Sequence, residues 1–118
     1  MRAWRWILRI QGAYYVATGV WPWLSIATFE AVTGPKVDDW LVQTVGALAA
    51  AIGLTLVVAG GRPALAPDAK LLSVLSAVAF GGVDVLFVFN GTISPIYLAD
   101  AALQGCLLLL AGALTLNR

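Results

Sequence analysis

Four long apolar stretches constrain the fold of this chain more than any other feature. They cover residues 6–27, 40–60, 71–89 and 96–116, and each is close to the roughly 20 residues that a helix needs to cross a bilayer core. Lipid offers the backbone no hydrogen-bond partners, so helices are the expected structure. Charged residues make up only 11% of the sequence, against about a quarter in soluble domains. We therefore predict an all-α fold: residues 1–118 form one domain, an integral membrane four-helix transmembrane bundle with up-down-up-down topology.

The basic residues lie almost entirely at one end of the predicted bundle. Of the seven lysine and arginine residues, only Lys36 falls in a loop on the other side. The other six are Arg2, Arg5, Arg9, Arg62, Lys70 and Arg118. Because cytoplasmic loops are enriched in such residues, we predict that the N- and C-termini are both cytoplasmic. The residues expected to contact lipid head groups are Arg2, Trp4, Arg5, Trp6 and Arg9.

The residue types that usually carry catalysis or bind metals are scarce. The chain has no histidine, which is the commonest general base and a common metal ligand. Its single cysteine, Cys106, lies in an apolar run. No serine–base pairing, metal-ligand cluster or phosphate-binding loop is recognisable, and no basic patch beyond the N-terminus suits nucleic acid. We predict that the protein is not an enzyme, needs no cofactor or metal, binds no nucleic acid and has membrane lipids as partners.

Two aspartates inside the predicted spans are the strongest functional candidates, because ionisable residues are costly within a membrane. Asp84 follows Gly81 and Gly82 on a face of small residues, and Asp100 lies about one turn into the last span. Two carboxylates in low dielectric repel each other, so one could hold a proton near neutral pH. Such a pair could bind a cation or an amine, carry a proton or anchor a lipid head group. The polar cluster predicted to open toward the outer face consists of Asp84, Asp100, Gln43, Tyr97, Gln104 and Lys36.

A purely structural interpretation of the same residues is also open. Asp84 could fix the bundle by accepting a hydrogen bond from Gln43 or by pairing with Lys36. Asp100 could be an ordinary interfacial residue at a helix start. The first predicted span also carries a polar stripe, which comprises Gln11, Tyr15, Thr18 and Ser25.

Glycines recur at intervals of seven residues, which is close to two helical turns. The three sets are Gly12 and Gly19; Gly46, Gly53 and Gly60; and Gly105 and Gly112. Small residues on one face let helix backbones approach closely in lipid. The faces are expected to pack inside the bundle, or else to bind a membrane-protein partner or a second copy in a homo-oligomer.

Two segments resemble a known group of proteins. The segment at 33–46, Thr-Gly-Pro-Lys-Val-Asp-Asp-Trp-Leu-Val-Gln-Thr-Val-Gly, and the run at 91–101 are similar to parts of small bacterial four-transmembrane-helix proteins of uncharacterised function. The resemblance extends over nearly the whole chain. It implies a bacterial inner-membrane protein and no defined activity. Small multidrug resistance transporters are similar in size, but their coupling glutamate lies in the first span, whereas Glu30 falls in the predicted outer loop.

Two functions follow from these observations as hypotheses. The first is a non-catalytic membrane protein, either an accessory or assembly subunit or a binder of a lipid or hydrophobic ligand. The alternative is a small proton- or cation-coupled transporter that acts as a homo-oligomer through Asp84 and Asp100.

Overall fold

A computed structural model describes residues 2–116, which form five α-helices. They are α1 (Arg2–Leu24), α2 (Ile26–Thr33), α3 (Asp39–Gly60), α4 (Pro67–Phe89) and α5 (Tyr97–Leu116). The all-α class is confirmed, but the prediction of a four-helix bundle is wrong.

The extra helix arises because the first apolar stretch is broken at Ser25. Pro22 lies in the last turn of α1 and has no backbone N–H, which weakens the helix there. Ser25 then adopts an extended backbone and its Oγ accepts a hydrogen bond from the Thr28 N–H at 3.2 Å, so it serves as the N-cap of α2. Such a serine cap starts a new helix. A count of apolar residues alone does not detect this break.

The number of transmembrane spans also needs correction. Three of the helices in residues 2–116 are long and apolar enough to cross a membrane: Asp39–Gly60, Pro67–Phe89 and Tyr97–Thr115. They fit an integral membrane protein. α1 is long enough but is not among the three. It carries arginines, Gln11 and many tryptophans and tyrosines, which are amphipathic and favour the membrane interface over the hydrocarbon core.

Glycines on facing sides of α1 and α3 let these two helices pack closely as an antiparallel pair. A Cβ atom added to Gly12 or Gly53 would lie 2.5 Å from the backbone oxygen of the other residue. Two turns away, Gly19 and Gly46 meet in the same way. Since neither backbone could come this close with a larger residue in between, these glycines set the separation of the two helices.

The other two long helices, α4 and α5, form a second pair, and contacts between the two pairs are fewer. At one end of the bundle the pairs are joined by a hydrophobic core, which we call the Trp4 cluster. Its buried members are Trp4, Ile7, Leu8, Tyr15, Leu56, Ala59, Ala69 and Ala111. The beginning of α1 and the later part of α5 therefore lie at the same end of the molecule.

Two of the five residues predicted to contact head groups, Trp4 and Arg5, instead make internal contacts at this end. Trp4 is buried, with Lys70 Nζ 5.5 Å from its ring centre. The guanidinium of Arg5 donates to the carbonyl oxygens of Gly60 at 2.7 Å and Arg62 at 2.5 Å, which satisfies the open C-terminus of α3. Trp6 is exposed and lies beneath the guanidinium of Arg9, so these two remain available to head groups. The side chain of Arg2 and the whole of Arg118 lie outside the described residues.

Candidate ligand-binding cavity

A cavity of about 510 Å³ lies between the two helix pairs, at the end of the bundle remote from the Trp4 cluster. The later half of α1, the first half of α3, the later half of α4 and the first half of α5 form its walls, and α2 lies over its mouth. Its lining is chiefly aliphatic and aromatic. The aromatic residues in the wall are Tyr14, Tyr15, Trp21, Phe29, Phe80 and Tyr97.

Five of the six residues predicted to form the polar cluster line this cavity, namely Asp84, Asp100, Tyr97, Gln104 and Lys36. Gln43 does not. Its side-chain Nε2 lies 3.5 Å from the backbone carbonyl oxygen of Pro22, and its backbone carbonyl oxygen accepts a hydrogen bond from Trp23 Nε1 at 2.9 Å. Gln43 therefore links α3 to the last turn of α1, whose final carbonyl groups have no partner within the helix.

Asp84 is the most unusual residue of the cavity. Its side chain is 6% exposed, and its Oδ2 atom is buried with no hydrogen-bond partner among the described residues. Asp100 is its close neighbour, near enough for the two carboxyl groups to interact directly. A buried acceptor without a partner is rare in folded proteins and calls for a specific explanation.

Asp100 is held in place by two donors. The hydroxyl of Tyr14 donates to its Oδ1 at 2.5 Å, and Gln104 Nε2 donates to the same oxygen at 3.2 Å. Both hydrogen bonds therefore end on one oxygen of the carboxylate. These two donors fix the Asp100 side chain in the cavity wall, beside Asp84, in the first turn of α5.

Lys36 does not neutralise either aspartate. Its Nζ donates to the carbonyl oxygens of Thr33 at 3.1 Å and Gly34 at 2.8 Å, and to Thr33 Oγ1 at 3.2 Å. These three acceptors match the three protons of the ammonium group. Lys36 therefore holds the C-terminus of α2 at the cavity mouth, where its charge also lies 5.2 Å from the ring centre of Tyr97.

A chain of buried hydrogen bonds continues from the cavity toward the Trp4 cluster. Tyr15 OH donates to Gln104 Oε1 at 2.7 Å, and Gln11 Nε2 donates to Tyr15 OH at 3.0 Å. Gln11 also bonds Ser73, accepting from its hydroxyl and donating to its carbonyl oxygen at 3.0 Å. Two members of the polar stripe, Gln11 and Tyr15, thus join α1 to both α4 and α5.

Sequence reasoning missed Tyr14, the closest partner of Asp100, and the serines of α4. Tyr14 lies beside Tyr15 in the chain, about 100° away around the helix, so one helical stripe cannot contain both. Ser73 is buried on the face of α4 that carries Ala77 and Asp84. The alignment of these three residues at intervals of four and seven was a usable signal.

The lining of the cavity is that of a small-molecule site. Within residues 2–116, no group of three histidine, cysteine, aspartate or glutamate side chains could hold a metal ion. The cavity combines a large apolar wall with a few convergent polar groups, which is typical of sites for small organic molecules.

Comparisons with known proteins do not assign this chain to a family. No family model, curated protein or solved structure matches this chain.

Proposed function

We propose that this protein is a non-catalytic integral membrane protein that binds a small hydrophobic or lipid-like ligand. The cavity is the observation that carries this proposal. Its volume of about 510 Å³ falls within the range of roughly 300–1,000 Å³ common for small-molecule sites. The Trp4 cluster closes the bundle below it, so a ligand would enter and leave at the α2 end.

The surroundings of the cavity suit a ligand that partitions into the bilayer. Several of its apolar wall residues are about half exposed, among them Val32, Val45, Val83 and Ile96. Such residues at a gap between two helix pairs would suit an apolar ligand. The absence of a recognisable catalytic set suits an accessory or assembly subunit that holds its ligand without altering it.

The proposal includes a location and an orientation. Arg5, Arg9, Arg62 and Lys70 gather at the Trp4 end, which the preference of basic residues for the cytoplasmic side would place inside the cell. The start of α1 and the later part of α5 would then face the cytoplasm, and the cavity would open toward the outer face. The resemblance of residues 33–46 to bacterial proteins favours the bacterial inner membrane.

Filling the cavity tests the proposal. We expect Val83→Trp to lower the fraction of protein that carries a bound small molecule by at least about fivefold, equivalent to roughly 1 kcal/mol, because the indole occupies space in the wall. The matched control is Val78→Trp, on the same helix and equally exposed but outside the cavity. Native mass spectrometry of protein extracted gently from its own membrane measures the bound fraction. Equal occupancy in wild type and both variants would contradict the proposal.

A proton- or cation-coupled transporter acting as a homo-oligomer is the second candidate, and the hydrogen-bond chain through Gln104, Tyr15 and Gln11 favours it. In proteoliposomes containing a pH-sensitive dye, such a transporter would show proton flux that falls sharply in Tyr15→Phe, because the hydroxyl at the centre of the chain is lost. Tyr97→Phe removes a cavity hydroxyl outside the chain and serves as the control. Wild-type flux no greater than that of empty liposomes excludes proton coupling.

A further inference from the structure

We infer that the ligand carries a positively charged amino group, which binds between Asp84 and Asp100 while its apolar part fills the rest of the cavity. This inference rests on the proposed function and specifies the class of ligand. It follows from the position of the two carboxyl groups in the wall of a largely apolar site.

The unpartnered oxygen of Asp84 is the first argument. The side chain is 94% buried, the complement of its 6% exposure, and Oδ2 has no hydrogen-bond partner among the described residues. Leaving a buried acceptor unsatisfied destabilises the folded protein, and more so when the group is charged. Gln43 and Lys36, the partners that the sequence suggests for Asp84, are engaged elsewhere, since Gln43 approaches Pro22 and Lys36 binds Thr33 and Gly34. The remaining neighbour is Asp100, which is itself an acid. A bound ligand with hydrogen-bond donors would supply the missing partner.

The groups around Asp84 Oδ2 favour a cationic ligand. Tyr14 and Gln104 both donate to Oδ1 of Asp100, so other oxygens of the two carboxyl groups can still accept hydrogen bonds. An ammonium group offers up to three donors and a positive charge, an alcohol offers one donor, and a carboxylate would be repelled. Lys36 is the basic residue of the wall, and its place at the mouth favours a ligand cation bound deep in the site.

Two probes of equal chain length separate charge from hydrophobicity. The purified full-length protein in a neutral detergent is titrated with radiolabelled decylamine and, separately, with radiolabelled decanol, and binding is read by scintillation proximity. We expect decylamine to bind wild type at least about tenfold more tightly than decanol, the ratio that a charge-assisted hydrogen bond worth roughly 1.5 kcal/mol would give. Asp84→Asn should lose this preference yet still bind decanol, which also shows that the variant is folded. Asp38→Asn removes an exposed carboxylate outside the cavity and should keep the preference.

The possible results distinguish this inference from the proposed function. Tighter binding of decylamine that depends on Asp84 supports both. Equal binding of the two probes to wild type overturns the amine inference and leaves the cavity as a site for neutral apolar ligands. If neither probe binds wild type, the proposed function itself fails. A preference for decylamine that persists in Asp84→Asn and in Asp100→Asn would place the cation elsewhere and would overturn the inference.

Discussion

Gly53→Ala is expected to destabilise the protein by about 3 kcal/mol, the upper part of the usual range for overpacking. The added Cβ would lie 2.5 Å from the carbonyl oxygen of Gly12 and 2.8 Å from the backbone nitrogen of Val16. Both are backbone atoms of α1, which cannot move aside by changing a rotamer. α1 and α3 would have to separate, and the contact of Gly19 with Gly46 two turns away would loosen with them. Because both helices line the cavity, ligand binding should weaken as well.

The control for this substitution is the same change on α5. Nothing in the described part of the chain lies within 4 Å of a Cβ added at Gly105, so Gly105→Ala should be neutral, or stabilising by up to about 1 kcal/mol because alanine is the better helix former. Unfolding by sodium dodecyl sulfate in mixed micelles, followed by far-ultraviolet circular dichroism, gives the two free energies. Equal stability of the two variants would show that α1 and α3 do not pack as closely as described.

The glycines show how far the sequence predicts this fold. Their spacing of seven identifies the faces that can pack closely, and Gly12, Gly19, Gly46 and Gly53 do meet within the molecule. The same spacing on α5 does not lead to close packing, since a Cβ added at Gly105 or Gly112 would meet nothing within 4 Å in the described part of the chain. Periodicity describes one helix at a time, whereas close packing needs a complementary surface on a second helix at the right height.

The first helix shows why the number of helices was wrong. Residues 6–27 contain no acidic residue and are predicted as one apolar segment, but α1 ends at Leu24 and α2 begins at Ile26. What ends α1 is local chemistry at Pro22 and Ser25, a missing N–H followed by a serine that caps the next helix. This signal was present in the sequence and was outweighed by the apolar average.

The candidate site was predictable in its acidic centre and less so in its surroundings. Asp84 and Asp100 stand out because charge within an apolar span is costly, and the spacing of Tyr97, Asp100 and Gln104 gave one wall. The prediction that Gln43 lines the site was wrong, because the sequence indicates how far along α3 this residue lies but not the direction in which its side chain points. The cavity itself arises where the two helix pairs diverge, and no residue pattern on a single helix encodes that divergence.

Asp84→Asn is expected to make the ligand-free protein more stable by about 1–3 kcal/mol, the usual cost of one unsatisfied buried polar group. The substitution replaces the unsatisfied carboxyl oxygen beside Asp100 by an amide group that can donate a hydrogen bond to the Asp100 carboxylate. If Asp84 instead held the bundle together, the same substitution would destabilise it. The sign of the change in unfolding free energy, measured by the detergent titration described above, decides between the two. Asp38→Asn, at an exposed position, should change stability by no more than about 0.5 kcal/mol.

Adding decylamine should stabilise wild type more than Asp84→Asn. A ligand that binds only the folded state stabilises it by RT ln(1 + [L]/Kd), which is about 2.7 kcal/mol at a hundredfold excess over the dissociation constant. Wild type should gain that stabilisation, whereas a variant that binds tenfold more weakly should gain only about 1.4 kcal/mol, so the stability advantage of Asp84→Asn should shrink by about 1.3 kcal/mol. A substitution that stabilises the protein but weakens binding indicates a residue retained for function at the expense of stability. If decylamine stabilises both proteins equally, the amine does not bind at Asp84, whatever the stability of the variant.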